Sequence, residues 1–425
     1  MRALVVGAGI VGLTTARMLA RRGYSVTVVE AHEGPGMETS YANAGQRSYG
    51  HVSPWAAPDL IGVGLKGLVR RQGPLKMHMP PAPRTISFLF QTLRYAWESG
   101  RYDASNRAML QLGQVSRNAF HAIDEELPEG FDGHHEGLLE ISRDPIEYAG
   151  LQTKARALAE QRIEHEWLNA DSVNRQEPAL AATGELQPSL LINGDGTGDC
   201  HRLSQLLMAQ CREAGVRFFF GTSVTQWEHN GNALEGAHVS DGNRSWLEAA
   251  DATVVCAGCA SRDLVRPLGL KLPVYPVKGY SLTAPLDNPD KAPRSTVVDL
   301  DNKVAITRLG DRMRITGFAE LAGFNRRIPE SRLQVLQEAI NERFPGAADF
   351  NHAEPWTGFR PMLPDGPPAL GAGPLQNLWL NTGHGTFGWT LSAGSAELLG
   401  MMMHSEPTPI DVSAFDPCRF GGSRR

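Results

Sequence analysis

The sequence predicts a mixed α/β (α+β) fold: a parallel, doubly wound domain interrupted by insertions that build a second domain on an antiparallel sheet plus helices. Three observations carry this. The first thirty residues read strand, glycine turn, helix, strand. The middle of the chain is a meander of short strands with turns at Asn230-Gly231-Asn232 and Asp241-Gly242-Asn243. A second glycine-rich strand-to-helix turn, Gly383 to Thr390, returns near the C-terminus. At 425 residues the chain fits two to three units of ~150 residues each.

In order, residues 3–6 read as a buried strand, 13–22 as a helix stopped by Gly23, and 24–29 as a second strand closed by Glu30. Between the first strand and the helix stands Gly7-Ala8-Gly9-Ile10-Val11-Gly12. Gly7 permits the tight turn, Gly9 lets backbone approach a pyrophosphate, and Gly12 lets helix and strand pack closely. Ile10 and Val11 open the helix, whose N–H groups and positive dipole end suit phosphates. Glu30 is placed to accept from a ribose hydroxyl and disfavours a 2′-phosphate, so NADP is not expected. This Rossmann-like unit binds a dinucleotide, but the motif alone does not separate FAD from NAD.

A turn at 31–36 leads into Glu38-Thr39-Ser40-Tyr41-Ala42-Asn43-Ala44-Gly45-Gln46, small and polar throughout. Such a run serves either as a surface loop or as the wall of a flat polar ring system. A Pro-rich break at 80–83 precedes a helical region at 87–126, then a strand at 137–142 and a helix at 146–161. A helix at 203–214 with its Gly215 stop follows, with strands at 216–220 and 221–227, the latter carrying Val224. The buried strand 251–257 runs through Ala257 to Gly258. Strands at 272–283, 296–299, 303–308 and 312–318 form the antiparallel sheet, and 330–344 is a helix. The strand 378–380 and the helix 391–403 flank the second glycine turn.

Composition narrows the function. Forty-one Lys+Arg against 46 Asp+Glu give a net charge of −5, with no long basic run, which disfavours nucleic acid as partner. Five cysteines in so long a chain make no disulfide framework and suit a reducing, cytoplasmic compartment. No segment reaches the ~18 apolar residues of a spanning helix, while peripheral contact at the inner face of a membrane stays open. Cys256 and Cys259 form a CxxC without a second half, and His134-His135 and Cys200-His201 lack partner spacing, so no metal is expected.

Three groups suggest substrate chemistry. Arg360 carries a guanidinium suited to a bidentate carboxylate, although structural ion pairs are the commoner use of arginine. Tyr280 could add a phenolic donor or be a core aromatic of its strand. The turn Gly383-His384-Gly385-Thr386-Phe387-Gly388-Trp389-Thr390 can aim N–H groups at an anionic ring edge. His384 is a candidate base and equally an ordinary loop histidine, and it is assigned no catalysis.

From Met1 to Gln46 the chain resembles the flavin-binding N-terminus of the D-amino-acid oxidase superfamily, and ETSYANAGQ within it resembles the small-subunit-type bacterial D-amino-acid dehydrogenases. The likeness continues through Ser53-Pro54-Trp55-Ala56-Ala57-Pro58, GDGTGDC ending at Cys200, YPVKGYSLT from Tyr275, WTGFRPMLPDG from Trp356 and WLNTGHGTFGWT from Trp379. It implies an FAD-binding domain from 1–50, 145–269 and 353–425 and a substrate domain from 51–144 and 270–352. It implies that Thr39, Ser40, Asn43, Ala44, Gly45, Gln46, Val224, Ala257, Gly258, Arg360 and the turn 383–390 serve the flavin, together with Gly7, Gly9, Ile10, Val11, Gly12 and Glu30.

The activity it implies is oxidation of a D-alanine-like D-amino acid by hydride transfer from Cα to flavin N5. An acyclic imine would then hydrolyse to a 2-oxo acid and ammonia. Arg360, with Tyr280, would hold the carboxylate. Electrons would pass to a quinone or other carrier, although Lys278 keeps an oxygen-using oxidase in view. D-Proline or hydroxy-D-proline is the alternative substrate, motivated by Arg47, which stands where an apolar residue is expected and would alter selectivity if it points at the ring. A non-catalytic flavoprotein subunit, alone or in a homo- or hetero-oligomer, is the reading from another class. No cysteine lies between Cys259 and Cys418, so a thioether in the 356–365 region is excluded and FAD is expected to be non-covalent.

Overall fold

The computed structural model describes residues 1–55, 73–127 and 130–421; Ala56, Ala57 and Pro58 of the SPWAAP motif lie outside them. A six-stranded sheet runs in the order Ala369–Ala372, Leu378–Thr382, Ala252–Val255, Arg2–Val6, Ser25–Val29, Arg217–Phe219. Its pairs are parallel except for the edge strand Ala369–Ala372. Arg2–Val6 and Ser25–Val29 are each buried at four consecutive positions, because both faces of such a sheet are covered. The helix Gly388–Met403 is apolar on most sides and packs between the helices Ile10–Arg21 and Arg101–Glu126.

The second large sheet has nine strands. Its path is Glu354–Met362, Tyr275–Pro285, Arg312–Leu321, Val304–Leu309, Thr296–Asp299, Leu138–Ile141, Ser189–Ile192, His165–Leu168, with Leu75–Met77 beside Arg312–Leu321. The strands Glu354–Met362, Ser189–Ile192 and His165–Leu168 fall within the segments expected for the cofactor domain, yet their hydrogen bonds tie them to this sheet. The helical region expected at 87–126 is two helices, Pro83–Trp97 and Arg101–Glu126, separated at Gly100, which has φ +73°.

Cross-strand partners share a face of a sheet and successive residues alternate. Tyr280, Leu282, Met313, Ile315, Val304 and Ile306 therefore form one apolar face, packed on Leu336, Ala339 and Ile340 of the helix Glu330–Arg343. The pairings Val277–Arg360, Gly279–Gly358, Ser281–Trp356, Ser281–Thr316 and Thr283–Arg314 define the opposite face, which is polar. The loop 38–48 docks on that polar face. Arg314 Nη1 donates to the Asn43 carbonyl at 3.2 Å, and Gln46 Nε2 donates to Thr296 Oγ1 at 2.8 Å.

Candidate cofactor and substrate site

A cleft of about 1020 Å³ opens at the C-terminal ends of the parallel strands, the usual ligand position in such sheets. Local sequence explains its floor. Gly7 has φ +108°, and a Cβ there would lie 2.8 Å from the Cys256 carbonyl. A Cβ on Gly12 would lie 1.9 Å from the Gly7 carbonyl, so any larger residue forces the helix off the strand. Gly9 caps the helix Ile10–Arg21 without a side-chain bond, and no acid stands in its first turn. Gly9, Ile10 and Val11 thus present a helix N-terminus to the cleft, with Ser40 Oγ accepting from Ile10 N at 3.1 Å.

Glu30 lines the cleft at the end of its strand. Its Oε2 accepts from Ala8 N at 2.6 Å and its Oε1 from His32 N at 2.9 Å. These bonds fix the carboxylate and leave lone pairs for a ribose. Val224 faces the same end, while Thr39, Asn43, Ala257 and Gly258 line the middle. Gly383, His384, Gly385, Thr386, Gly388 and Trp389 close the far end. Positive φ at Gly383 and Gly385, +77° and +57°, turns the backbone from strand to helix.

Two buried polar atoms on this wall have no protein partner: Trp389 Nε1 and Asn381 Oδ1. Orphaned groups of this kind are rare in a native interior. With the glycine cradle and free helix end, they fit a large polar-and-aromatic ligand such as FAD. His384 is buried against Ser395 Oγ at 3.1 Å, and burial lowers it to about 3, so its imidazole is neutral.

Several expected residues act behind the wall. Gly12 packs helix on strand. A Cβ on Gly45 would press on Leu309 and Thr307. Thr390 Oγ1 accepts from Ser48 N at 3.1 Å and donates to the Gln46 carbonyl at 3.3 Å, so Gln46 and the adjoining Ala44 are held by the loop's anchorage rather than exposed in the cleft.

Arg360 lies on the polar face of the nine-stranded sheet, against Gly279, where a Cβ would meet its Nη1 at 2.4 Å. Its Nη1 donates to the Phe318 carbonyl at 2.9 Å. Among the described residues it has no ion pair with any carboxylate. Burial alone lowers its guanidinium to about 10, so it stays cationic at neutral pH. It is an enclosed cation held by one backbone carbonyl, a costly arrangement in a protein interior.

Tyr280 does not share that site. It belongs to the apolar face, where its hydroxyl donates to Glu320 Oε2 at 2.7 Å. Strand alternation separates it from Arg360, so the expectation that the two grip one carboxylate is corrected. Lys278 follows Tyr280: its Nζ donates to the Arg327 carbonyl and lies 4.9 Å from the Tyr280 ring. Burial holds its ammonium below the usual lysine value. Like Arg360, it stands outside the residues that line the cleft, which this sheet borders through Phe359 and Pro361.

Arg47 turns away as well. It is 1% exposed, pairs with Asp124 at 2.6 Å, donates to the Thr197 carbonyl at 3.0 Å, and lies over Phe120 and Phe131. The CxxC makes no disulfide: Cys256 Sγ faces Thr15 Oγ1, and Cys259 Sγ faces the Phe359 carbonyl. No cluster of metal-ligating side chains occurs among the described residues.

Sequence reasoning missed the mouth of the cleft. Arg326 lies over Phe359 at 5.0 Å and reaches Glu38 at 2.5 Å, while Glu38 also meets His32 at 3.0 Å. Phe324 packs edge-on against Phe359 at 5.3 Å. These contacts join segments almost 300 positions apart, which leaves no local signature.

Known proteins place the chain in context. The family model described as DAO, FAD dependent oxidoreductase, matches residues 2–402. A protein of Vibrio cholerae serotype O1 (strain ATCC 39315 / El Tor Inaba N16961) named D-amino acid dehydrogenase is 40% identical over 421 residues, 99% of both chains. One of the same name from Neisseria meningitidis serogroup A is 39% identical, over 96% of this chain and 97% of the relative. Glycine oxidase from Geobacillus kaustophilus superposes with a TM-score of 0.76 at 22% identity, covering 98% and 99% of the two chains. L-Proline dehydrogenase from P. horikoshii gives 0.75 at 16% identity, covering 100% and 99%. At these identities the structures speak for the fold.

Proposed function

The chain belongs to the DAO family of FAD-dependent oxidoreductases, and from that premise we propose that it oxidises D-amino acids at Cα, with a D-alanine-like substrate and a carrier other than oxygen as electron acceptor. FAD bound in the cleft supplies N5 as acceptor of the Cα hydride. The observation that carries the reading is Arg360, a buried cation without a counterion on the polar sheet face beneath the loop 38–48.

Arg360 binds the substrate carboxylate and so fixes which Cα substituent is presented for transfer. The Phe318 carbonyl holds one guanidinium nitrogen, leaving the remaining donors for the acid. The neutral amine lone pair stabilises the cation developing at Cα, so no side-chain base is needed there. His384 orients the glycine turn through Ser395 and, lowered to about 3 by burial, is too weak a base to take a proton from the substrate. Water then converts an acyclic imine to 2-oxo acid and ammonia.

The cofactor is held non-covalently by the residues 7–12, 30, 39–43, 257–258 and 383–389. The polar face of the second sheet serves the substrate, and the segments 1–50, 145–269 and 353–425 supply most of the cofactor wall. A quinone is the acceptor class we favour. Five cysteines in a chain of 425 residues fit a cytoplasmic enzyme, and no described helix is long and apolar enough to cross a membrane. Arg47 gives the cyclic-substrate alternative no support.

An anaerobic panel of D- and L-amino acids, followed by loss of flavin absorbance, tests the reading. Rapid bleaching by small D-amino acids and none by their L-enantiomers is expected. A flavoprotein that no amino acid bleaches would be a binding subunit instead. Fast peroxide formation in air would overturn the choice of acceptor.

A further inference from the structure

The helix Pro83–Trp97 is packed inside out. A surface helix ordinarily buries its large apolar stripe. This one buries Thr85, Phe88, Thr92 and Ala96. It turns Ile86, Phe90 and Trp97 outward at 55%, 69% and 69% exposure, with Leu93 half-buried among them. The spacings of four, three and four residues place these side chains on one stripe. Met79, 67% exposed, stands just before the helix. Four of the eleven exposed large apolar side chains among the described residues thus fall within 79–97. Single exposed apolar residues are ordinary, but a contiguous set marks an interaction surface.

Charge around the stripe is basic although the chain is acidic at −5. Arg84 and Arg94 are exposed on the helix itself. Arg84 reaches Asp263 at 3.3 Å, beside Arg262 and Arg266. Arg262 is held below the usual arginine value by burial first, then by the positive charges of Arg84 and Arg266, with Asp263 opposing. Arg101 lies over the Tyr95 ring and pairs with Glu98. Five arginines therefore face two carboxylates along this edge. Aromatic and aliphatic side chains framed by arginine are the makeup of an interfacial helix, which lies in the headgroup plane with its apolar side in the acyl boundary.

The stripe also adjoins the cleft. Thr85 Oγ1 bonds the Tyr275 hydroxyl at 2.8 Å, and that hydroxyl accepts from Gly323 N at 3.3 Å, one residue before Phe324 at the cleft mouth. Asp263, partner of Arg84, lines the cleft. We propose that the helix Pro83–Trp97 docks the enzyme on an anionic lipid bilayer, with Ile86, Phe90 and Trp97 inserted and the arginine edge on the headgroups. A second copy docked through the same stripe would set arginine edge against arginine edge, whereas anionic lipid offers the opposite charge.

The test is co-sedimentation of the FAD-loaded full chain with vesicles of phosphatidylcholine alone or mixed with phosphatidylglycerol. Binding to the mixed vesicles is expected, falling at least tenfold in Phe90→Glu/Trp97→Glu. Arg94→Gln is expected to lose about fivefold, since one arginine near an anionic surface contributes on that order. Leu247→Glu, at an exposed apolar position on the three-stranded sheet Ser223–His229, Leu234–Ser240, Ser245–Ala249, should bind like wild type. Retained flavin absorbance and dye-coupled turnover in solution show that each variant is folded. Equal sedimentation of wild type and Phe90→Glu/Trp97→Glu overturns the proposal. So does a concentration-dependent dimer, abolished by Phe90→Glu, in a protein that ignores both vesicles.

Discussion

Two buried arginines divide the labour between structure and chemistry. Arg47 donates to the Asp124 carboxylate and the Thr197 carbonyl, with the His135 ring beside it and Phe120 and Phe131 on its faces. Arg360 has one carbonyl, from Phe318, and lies over Gly279, which has no side chain to displace it. The first cation is fully compensated and locks the segment 46–51 to the helix Arg101–Glu126. The second keeps its charge available. A buried charge is costly unless paired, and the proposed carboxylate site rests on the unpaired one.

The largest expected effect breaks the Arg360 side of this contrast. Arg360→Met should lower kcat/KM for carboxylate-bearing amines by roughly a thousandfold, which corresponds to about 4 kcal/mol for a buried charge pair cut at one partner. The ligand-free protein should be no less stable, because an uncompensated cation has been removed. Anaerobic stopped-flow reduction and thermal unfolding of the same samples check both halves. A stable, fully active Arg360→Met would remove the anchor.

Arg47→Met should do the reverse. It leaves Asp124 with only His135, and Asp124 is partly solvated. A loss of about 2–3 kcal/mol is expected, below the ~3–5 kcal/mol of a fully buried pair. Residual folded enzyme should keep its KM. A changed substrate preference in this variant would show that Arg47 reaches the ring after all.

A buried anion without a counterion offers a smaller, pH-dependent version of the same comparison. Asp195 is 1% exposed; its Oδ1 accepts from Gly50 N at 2.8 Å, and its Oδ2 has no partner. Burial raises it to about 7. The folded carboxyl thus holds its proton more tightly than the unfolded one, and its ionisation destabilises the fold progressively as pH rises from about 4 to about 7. Asp195→Asn should gain about 1–2 kcal/mol over wild type at pH 8, part of the relief being offset by an unpaired amide. The gain should vanish by pH 4. Unfolding midpoints across that range, with equal differences at both ends, would contradict the assignment.

The sequence showed the parts that are local. Strand, glycines, helix, strand and Glu30 sit within thirty residues, and each glycine's role followed from backbone chemistry that the structure repeats at Gly7 and Gly12. Arg360 could be named, but its solitude could not, since that depends on which carboxylates fail to approach from elsewhere. The direction of Arg47 was equally hidden: Asp124, His135 and Thr197 lie 77 to 150 positions away. The three strands His165–Leu168, Ser189–Ile192 and Glu354–Met362 were misplaced or missed because pairing partners, not composition, assign a short strand to a sheet. Tyr280 was misread for want of register, although alternation from Arg360's cross-strand partner Val277 would have placed it on the far face.

That register yields the smallest and most discriminating prediction. Tyr280→Phe removes a donor to Glu320 Oε2, while Glu320 Oε1 keeps Arg332 Nε at 2.9 Å. The carboxylate stays paired, so the expected loss is about 1–2 kcal/mol, the usual range for a hydrogen bond to a charged group left unmade. Turnover and KM should stay within about twofold, because the phenol faces the helix Glu330–Arg343 and not the substrate. Had both side chains gripped the same carboxylate, removing a charge-assisted bond would lower kcat/KM by at least about tenfold at unchanged melting temperature. Melting curves and steady-state kinetics on one preparation therefore separate the two faces of the sheet: the apolar face answers in stability, the polar face in catalysis.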